Sequence, residues 1–512
     1  MLVKNCRRNR ACVTRAAIVS FAVLAGISPR AWAQSSAIGA FEGHGDVGKV
    51  SRAGSVSYDS RRDEYVIAGS GQNMWGDHDD FHIAWKRLSG NFILTARTHF
   101  LGAGVDPHRK LGWIVRSTLE TGSPHVAAAV HGSGLVSVQF RRATGATTEE
   151  KRSPIEAADM VQLERRGLTY FMSTAKYGDT LRTDSISQIA LGDTVYVGLF
   201  VCAHNDTVTE RATFRDVRIT IPARGDFVAY REYLGSNVET VDVASGDRRI
   251  VQRSPVSIQA PNWTHDGRAL IYNREGLLYR FDLASGQETR INTDFATRNN
   301  NDHVLSFDGK QLGISHGAVE DSGRSNIYVL PVRGGTPRRV TQRGPSYLHG
   351  WSLDGRYLVY TGVRDQRLDI YRIPVAGGNE VQLTKDAGMN DGSEYSPDGH
   401  YIYFNSTRSG LMQLWRMRPD GSEQQQLTND AFNNWFPHLS PDGRWIAFLS
   451  FMRDVRPEEH PWYKPVYLRL MPASGGATRV LAYVYGGQGT INVPSWSPDG
   501  KCLAFVSNTV QR

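Results

Sequence analysis

The sequence predicts an all-β protein in two parts, a β-sandwich followed by a six-bladed β-propeller. Three observations lead there. A five-residue turn recurs six times at the period of a four-stranded blade, and the region before it alternates apolar and polar residues in short runs without any repeat. Glycine is frequent at 51 residues and aromatics reach 10%, which suits many short strands joined by tight turns.

The first 33 residues read as a signal peptide. Lys4, Arg7, Arg8, Arg10 and Arg15 precede an apolar run from Ala16 to Ile27, and Ala31-Trp32-Ala33 offers an A-x-A cleavage site before Gln34. The apolar run is too short to span a bilayer, so release into the periplasm or beyond is expected. Arg7-Arg8 raises a twin-arginine route, but Asn9, Arg10 and Ala11 fit it poorly, and general secretion is the preferred route. Six basic residues and no acid lie in 1–33, so the formal charge of +8 falls to +2 for the remainder. That removes the compositional case for nucleic-acid binding, which needs a basic face on the folded domain. Cys6 and Cys12 leave with the signal, and Cys202 and Cys502 read as free thiols, an inter-domain bridge being the alternative.

Residues 35–222 carry the alternating runs Phe92 to Thr98, Leu135 to Phe140 and Val195 to Phe200, which read as sandwich strands. The ordered string Asp80-Phe81, Trp85, Gly90-Asn91-Phe92, Leu111 to Arg116, Gln139 to Arg141 and Ala212 to Val217 resembles concanavalin-like jelly-roll modules of secreted enzymes. That resemblance implies carbohydrate contact. Asn73, Trp75, Asp77, His78, Asp79 and Asp80 form a polar loop, read as solvated with Trp75 on the sandwich edge, with sugar or calcium binding as the alternative. Arg116, His125, His131, Arg141 and His204 lack metal-ligand spacing and are read as structural.

The repeated turn ends in Asp266-Gly267, Asp308-Gly309, Asp354-Gly355, Asp398-Gly399, Asp442-Gly443 and Asp499-Gly500, spaced 42, 46, 44, 44 and 57 residues. Proline at Pro397, Pro441 and Pro498 presets the first corner, aspartate bonds nearby backbone N–H groups, and glycine supplies the positive φ. Third strands such as Ile327-Tyr328 and Ile370-Tyr371 follow, then Gly-Gly turns and outer strands ending in Leu383-Thr384 and Leu427-Thr428. The S-P-D-G turn, the I-Y strand and the terminal L-T resemble the WD-like repeats of TolB-like propellers, over residues 226–512. Closure is expected to join the last copy, ending near Ser507, to strands from 227–252; one strand is then surplus, and Phe227 to Glu232 reads as a linker strand or as a competitor for the last position.

Propellers bind ligands in the central funnel, so the residues entering each inner strand carry the site. Here they are polar: Asn299, Asn300, Asn301, Asp302 and His303; Tyr347 and His349; Asn390, Asp391 and Glu394; Asn433, Asn434, Trp435 and His438; Gln488, Thr490 and Asn492. Imidazoles with carboxylates suit a divalent metal or general acid–base chemistry. No cofactor follows from a motif, and a divalent metal stays an option. The pattern is similar to oligogalacturonate-lyase propellers, whose channel holds manganese, although none of their ligands maps onto a position of this sequence. His303 and His349 lie two residues before the repeated turn, Glu394 and His438 one before, so alternation separates the two sets. His316, Arg364, Arg408, Arg453 and His460 lie on facing loops.

Gly313-Ile-Ser315-His-Gly317 matches G-x-S-x-G but falls in a strand with no helix after it. No P-loop, H-E-x-x-H or paired C-x-x-C occurs. The preferred function is therefore an exported recognition protein whose funnel binds a glycan or protein partner. A carbohydrate-active lyase or hydrolase is the alternative. A TolB-type envelope scaffold comes third, because TolB-type proteins carry a small α/β domain ahead of the propeller.

Overall fold

The computed structural model describes residues 38–385 and 388–511, and the signal-peptide reading lies outside them. The first part is built from two seven-stranded sheets, antiparallel throughout. One runs in the order Gly43–Val47, Phe81–Ser89, Thr194–Cys202, Lys110–Arg116, His125–His131, Val136–Arg141, Glu149–Arg152. The other runs Arg182–Ile186, Thr169–Ala175, Met160–Arg166, Phe92–Leu101, Glu210–Thr220, Glu64–Gly69, Ser55–Asp59. Trp113, Val115, Val126, Val197 and Leu199 of the first sheet meet Ile67, Leu94, Leu163, Met172 and Phe214 of the second in one core. The period-2 pattern dictates this, since every second side chain of a strand faces the partner sheet.

The second part is a six-bladed propeller. Five blades are four-stranded, with inner strands Ile258–Trp263, Asn299–Leu305, Ser346–Trp351, Asn390–Tyr395 and Asn433–Leu439. The sixth closes the ring: Cys502–Thr509 pairs with Gly235–Asp242, which pairs with Arg248–Ser254, and a bridge from Trp496 to Leu503 marks its inner strand. The expected closure is therefore present. Residues 227–232 form turns and no strand, which corrects the expectation of a strand there, and Gly235–Asp242 takes the closing position instead.

Each repeated turn is tied by the same three bonds. In the fifth blade Ser440 Oγ donates to Asp442 Oδ1 at 2.6 Å, while Arg444 N–H donates to Asp442 Oδ1 and Trp445 N–H to Ser440 Oγ, both at 3.0 Å. Gly443 closes the turn at φ 69°, a left-handed conformation that glycine adopts without strain. The terminal threonines have a role that the sequence did not announce: Thr341, Thr384 and Thr428 Oγ1 each accept the N–H of Ile327, Ile370 and Leu414 at 2.9 Å. They latch the fourth strand's end onto the third. Ser440→Ala should lower stability by about 1 kcal/mol, read from the urea midpoint, because two buried-edge hydrogen bonds of one turn are lost. An unchanged midpoint would remove the serine from that role.

Cys202 and Cys502 are both free thiols. Cys202 is buried and its thiol is pushed up to about 11 by burial, whereas Cys502 is only half-buried.

Candidate functional site

In all five four-stranded blades the inner strand slips register against its neighbour near its leading end. Three of these bulges contain a left-handed residue at the same repeat position: Ala260 at φ 56°, Gly392 at 63° and Phe436 at 54°. A bulge breaks simple alternation and re-aims the side chains beside it. That decides which polar residues reach the funnel.

A cavity of about 690 Å³ is lined from these leading ends. It receives Asn301, Asp302, His349, Asp391, Gln488 and Asn492 of the expected set, together with Asn299, Asn300 and Tyr347. His303, Glu394, Asn434, Trp435 and His438 do not line it. His349 lies inside the register shift between Leu348 and Gly350 and reaches Asp391, its Nε2 standing 3.1 Å from Oδ1. His303, by contrast, pairs regularly with Ile314 just past its own blade's shift, and its Nε2 lies 3.2 Å from the Ile271 carbonyl oxygen. Equal distance from the repeated turn therefore does not give equal direction.

Three of the other four residues tie blades together. His438 Nδ1 lies 2.6 Å from Glu394 Oε2 and its Nε2 2.5 Å from the Ile491 carbonyl, while Leu439 N–H donates to Glu394 Oε1 at 3.2 Å. Asn434 donates to Asp430 Oδ1 at 3.0 Å and accepts from Ser450 Oγ at 2.7 Å. Trp435 is buried behind the cavity wall, its ring 4.9 Å from that of His460.

The floor of the cavity is an ionic network. Asp391 accepts from Thr361 Oγ1 at 2.7 Å and from Gly392 N–H at 2.8 Å, and its Oδ2 lies 3.0 Å from His460 Nε2. Burial works against charge on Asp391, but hydrogen bonds from His349 and His460 outweigh it and hold the carboxyl well below the usual range. Burial likewise works against charge on His349, yet the hydrogen bond to Asp391 and the fields of Asp391 and Asp302 raise it above the ordinary imidazole value. Asp302 behaves oppositely to Asp391. Burial raises it above its ordinary value against the field of His349, and its oxygens accept only amide donors, Asn300 Nδ2 and Asn492 Nδ2, each at 2.5 Å. Burial also pushes Tyr347 up to about 12.

Of the facing-loop residues, His460 alone among the five enters the cavity lining. His316 accepts from Arg298 N–H at 3.3 Å, Arg364 pairs with Glu380 at 2.7 Å, Arg408 donates to Asn390 Oδ1 at 2.8 Å, and Arg453 is exposed. Among the described residues no group of three or more His, Cys, Asp and Glu side chains is arranged to hold a metal ion. Gly313 to Gly317 lies in a strand, with Ser315 Oγ accepting Leu348 N–H at 2.8 Å, so that serine is a packing residue.

The cavity also has a mouth that was not foreseen. Tyr230 and Tyr233, from the segment between the two parts, meet the Trp462 ring edge-on at 5.4 and 5.5 Å. Trp462 and His460 belong to the connection between Trp445–Phe451 and Lys464–Pro472. The signal for it was present: the last Asp-to-Asp spacing is 57 residues against 42 to 46 elsewhere, and this connection holds much of the surplus.

In the N-terminal part, the loop read as solvated is only partly so. Asp77 and His78 are exposed, but Asp79 is fully buried, with Arg116 Nη1 at 2.6 Å and Arg141 Nη2 at 2.8 Å. Arg116, His125, His131 and Arg141 are buried too.

Comparison with known proteins gives concordant results. The family described as "TolB beta propeller domain" matches residues 349–456. An uncharacterized protein of Agrobacterium fabrum is 46% identical over 272 residues, which is 53% of this chain and 92% of that protein. The solved structure of a "putative TolB" from Agrobacterium tumefaciens is 45% identical, with a TM-score of 0.52, over 54% of this chain and 99% of that one. The Tol-Pal system protein TolB of Francisella tularensis is 27% identical over 128 residues, 24% of this chain and 28% of its own length.

Proposed function

This chain belongs to the TolB-type β-propeller family that includes the Agrobacterium fabrum protein, and from that premise we propose that it is an exported recognition protein whose propeller cavity binds a glycan. One observation carries the reading: polar leaders from separate blades converge with Tyr230, Tyr233 and Trp462 on one cavity. Sugars are recognised by this mixture, aromatic faces against C–H surfaces and fixed amides and carboxylates against hydroxyls. The basic and apolar pattern of residues 1–27, with the TolB relatives, supports a periplasmic location. The paired seven-stranded sheets support reading residues 35–222 as a concanavalin-like jelly-roll domain and 226–512 as the propeller domain.

A polysaccharide array probed with the chain from Gln34 onward tests this. Retention of at least one glycan is expected, and Trp462→Ala should weaken it about ten-fold or more, as removal of a central aromatic contact does. Trp75→Ala, in the N-terminal part, should leave it unchanged. Binding that survives Trp462→Ala together with Asp302→Ala would place the recognition surface elsewhere.

A reaction on the bound sugar is the second reading, favoured by His349, which lines the cavity, is hydrogen-bonded to Asp391 and feels the field of Asp302. An imidazole so placed suits proton transfer to or from a bound ligand. Release of shortened or unsaturated product from the retained glycan, abolished by His349→Ala, would establish it. An intact glycan after prolonged incubation would leave binding alone.

A further inference from the structure

We infer that the group entering this cavity is a protonated amine, so that the glycan recognised is one bearing free amino sugars; this rests on the cavity being the binding site proposed above. The chain carries 59 Lys and Arg residues, yet none of them lines the cavity, while three carboxylates do, those of Glu275, Asp302 and Asp391. A uronate, sulfate or phosphate would therefore meet no guanidinium or ammonium, and the two imidazoles of the lining, His349 and His460, are already engaged by Asp391. The same lining that repels an anion favours a cation.

The two buried carboxylates differ in what the protein gives them. Asp391 is answered by His349 and His460. Asp302 receives amide hydrogens from Asn300 and Asn492 and no Lys or Arg, although it is almost fully buried. The imidazole of His349 acts on Asp302 only through its field and is hydrogen-bonded to Asp391 instead, so a ligand ammonium would supply the direct cationic partner that this buried carboxylate lacks.

A second feature points the same way. Asn299 lines the cavity, is more than nine-tenths buried, and its Oδ1 has no hydrogen-bond partner. Its amide nitrogen is already committed to the carbonyls of Gly276 and Ala296 at 2.9 and 2.7 Å, so the oxygen's position is set. An ammonium carries three donors and no acceptor, which suits a lining that offers amide and carboxylate oxygens. At the mouth, Tyr230, Tyr233 and Trp462 present aromatic rings, and ring faces attract cations.

Titration calorimetry on the chain from Gln34 onward, with four probes of similar length, tests the inference. The probes are the tetramers of glucosamine, N-acetylglucosamine and galacturonic acid, and tetralysine. The glucosamine tetramer should bind about ten-fold more tightly than its N-acetylated counterpart, and the galacturonic acid tetramer should not bind. Asp302→Asn should reduce that preference to about two-fold or less, with its thermal midpoint measured alongside; Glu275→Gln, at an exposed rim position, provides a second reduction in a variant expected to fold normally. N-acetylated or galacturonic acid tetramers binding as tightly as the glucosamine tetramer would overturn the inference while keeping a glycan site. Tetralysine binding in the absence of any sugar binding would uphold the ammonium and overturn the glycan reading. Failure of all four probes would overturn both.

Discussion

Acidification from pH 7 to pH 4 is expected to unfold this protein, with three buried histidines responsible for much of the loss. Burial holds His303 at about 4, His125 at about 3 and His131 at about 3, against an ordinary value of 6.5; Lys110 adds to the depression at His131. Each ring has one nitrogen with no partner: Nδ1 of His303, Nε2 of His125 and Nδ1 of His131. A neutral imidazole can leave a lone pair unmatched, but the protonated ring would bury an unsatisfied N–H and a charge. The folded state therefore binds fewer protons than the unfolded chain between about pH 6.5 and the depressed values, so stability is fully present above 6.5 and falls as pH drops through that window. By pH 4 each histidine contributes a loss of about 3 kcal/mol, and together they approach the entire stability of an ordinary domain. Urea unfolding at half-unit pH steps measures this. A denaturation midpoint that stays flat between pH 7 and pH 5 would show that these rings are already solvated or charged in the native protein.

The propeller was legible because its information is local and repeated. Ser440, Asp442 and Gly443 bond within a few residues of one another, so the turn chemistry that predicts them is also what the structure uses. The closure was legible for the same reason, since a repeat that stops after its second strand must find partners elsewhere. The site was legible only in part. Which residues lead the inner strands could be counted from the turn, but their direction depends on bulges, and nothing local distinguishes His349, held in a register shift, from His303, just beyond one. Tyr230, Tyr233 and Trp462 were missed because they come from connections outside the repeat, and only the long final spacing hinted at an added mouth. Asp79 was misjudged for a related reason. Its neighbours Asp77 and His78 are exposed, and no sequence pattern indicates that a short pairing, Met74–Trp75 with His78–Asp79, turns the next carboxylate inward.

That carboxylate carries the largest single-residue effect expected in the N-terminal part. Asp79 is the shared partner of two guanidinium groups that are themselves fully buried, Arg116 Nη1 on Oδ2 and Arg141 Nη2 on Oδ1. The remaining guanidinium hydrogens are met by neutral oxygens: the Glu120 carbonyl at 2.6 Å and the Thr118 carbonyl at 3.2 Å for Arg116, and the Ala146 carbonyl at 2.8 Å, the Gly76 carbonyl at 3.1 Å and Thr148 Oγ1 at 3.1 Å for Arg141. Those bonds satisfy geometry without supplying negative charge. Burial, helped by the neighbouring Arg141 charge, pulls Arg116 below its ordinary value, and Asp79 opposes both through its charge and its hydrogen bond. Asp79→Asn keeps shape and one acceptor but leaves two buried cations uncompensated. The expected destabilisation is about 3–5 kcal/mol, the cost of breaking a buried ion pair from one side. Asp77→Asn, two residues away and exposed, should leave the urea midpoint unchanged. The contrast is the test, because both substitutions remove one charge from one loop. Equal urea midpoints for the two variants would mean that Asp79 is reached by water and that the buried guanidinium pair is held by neutral oxygens alone.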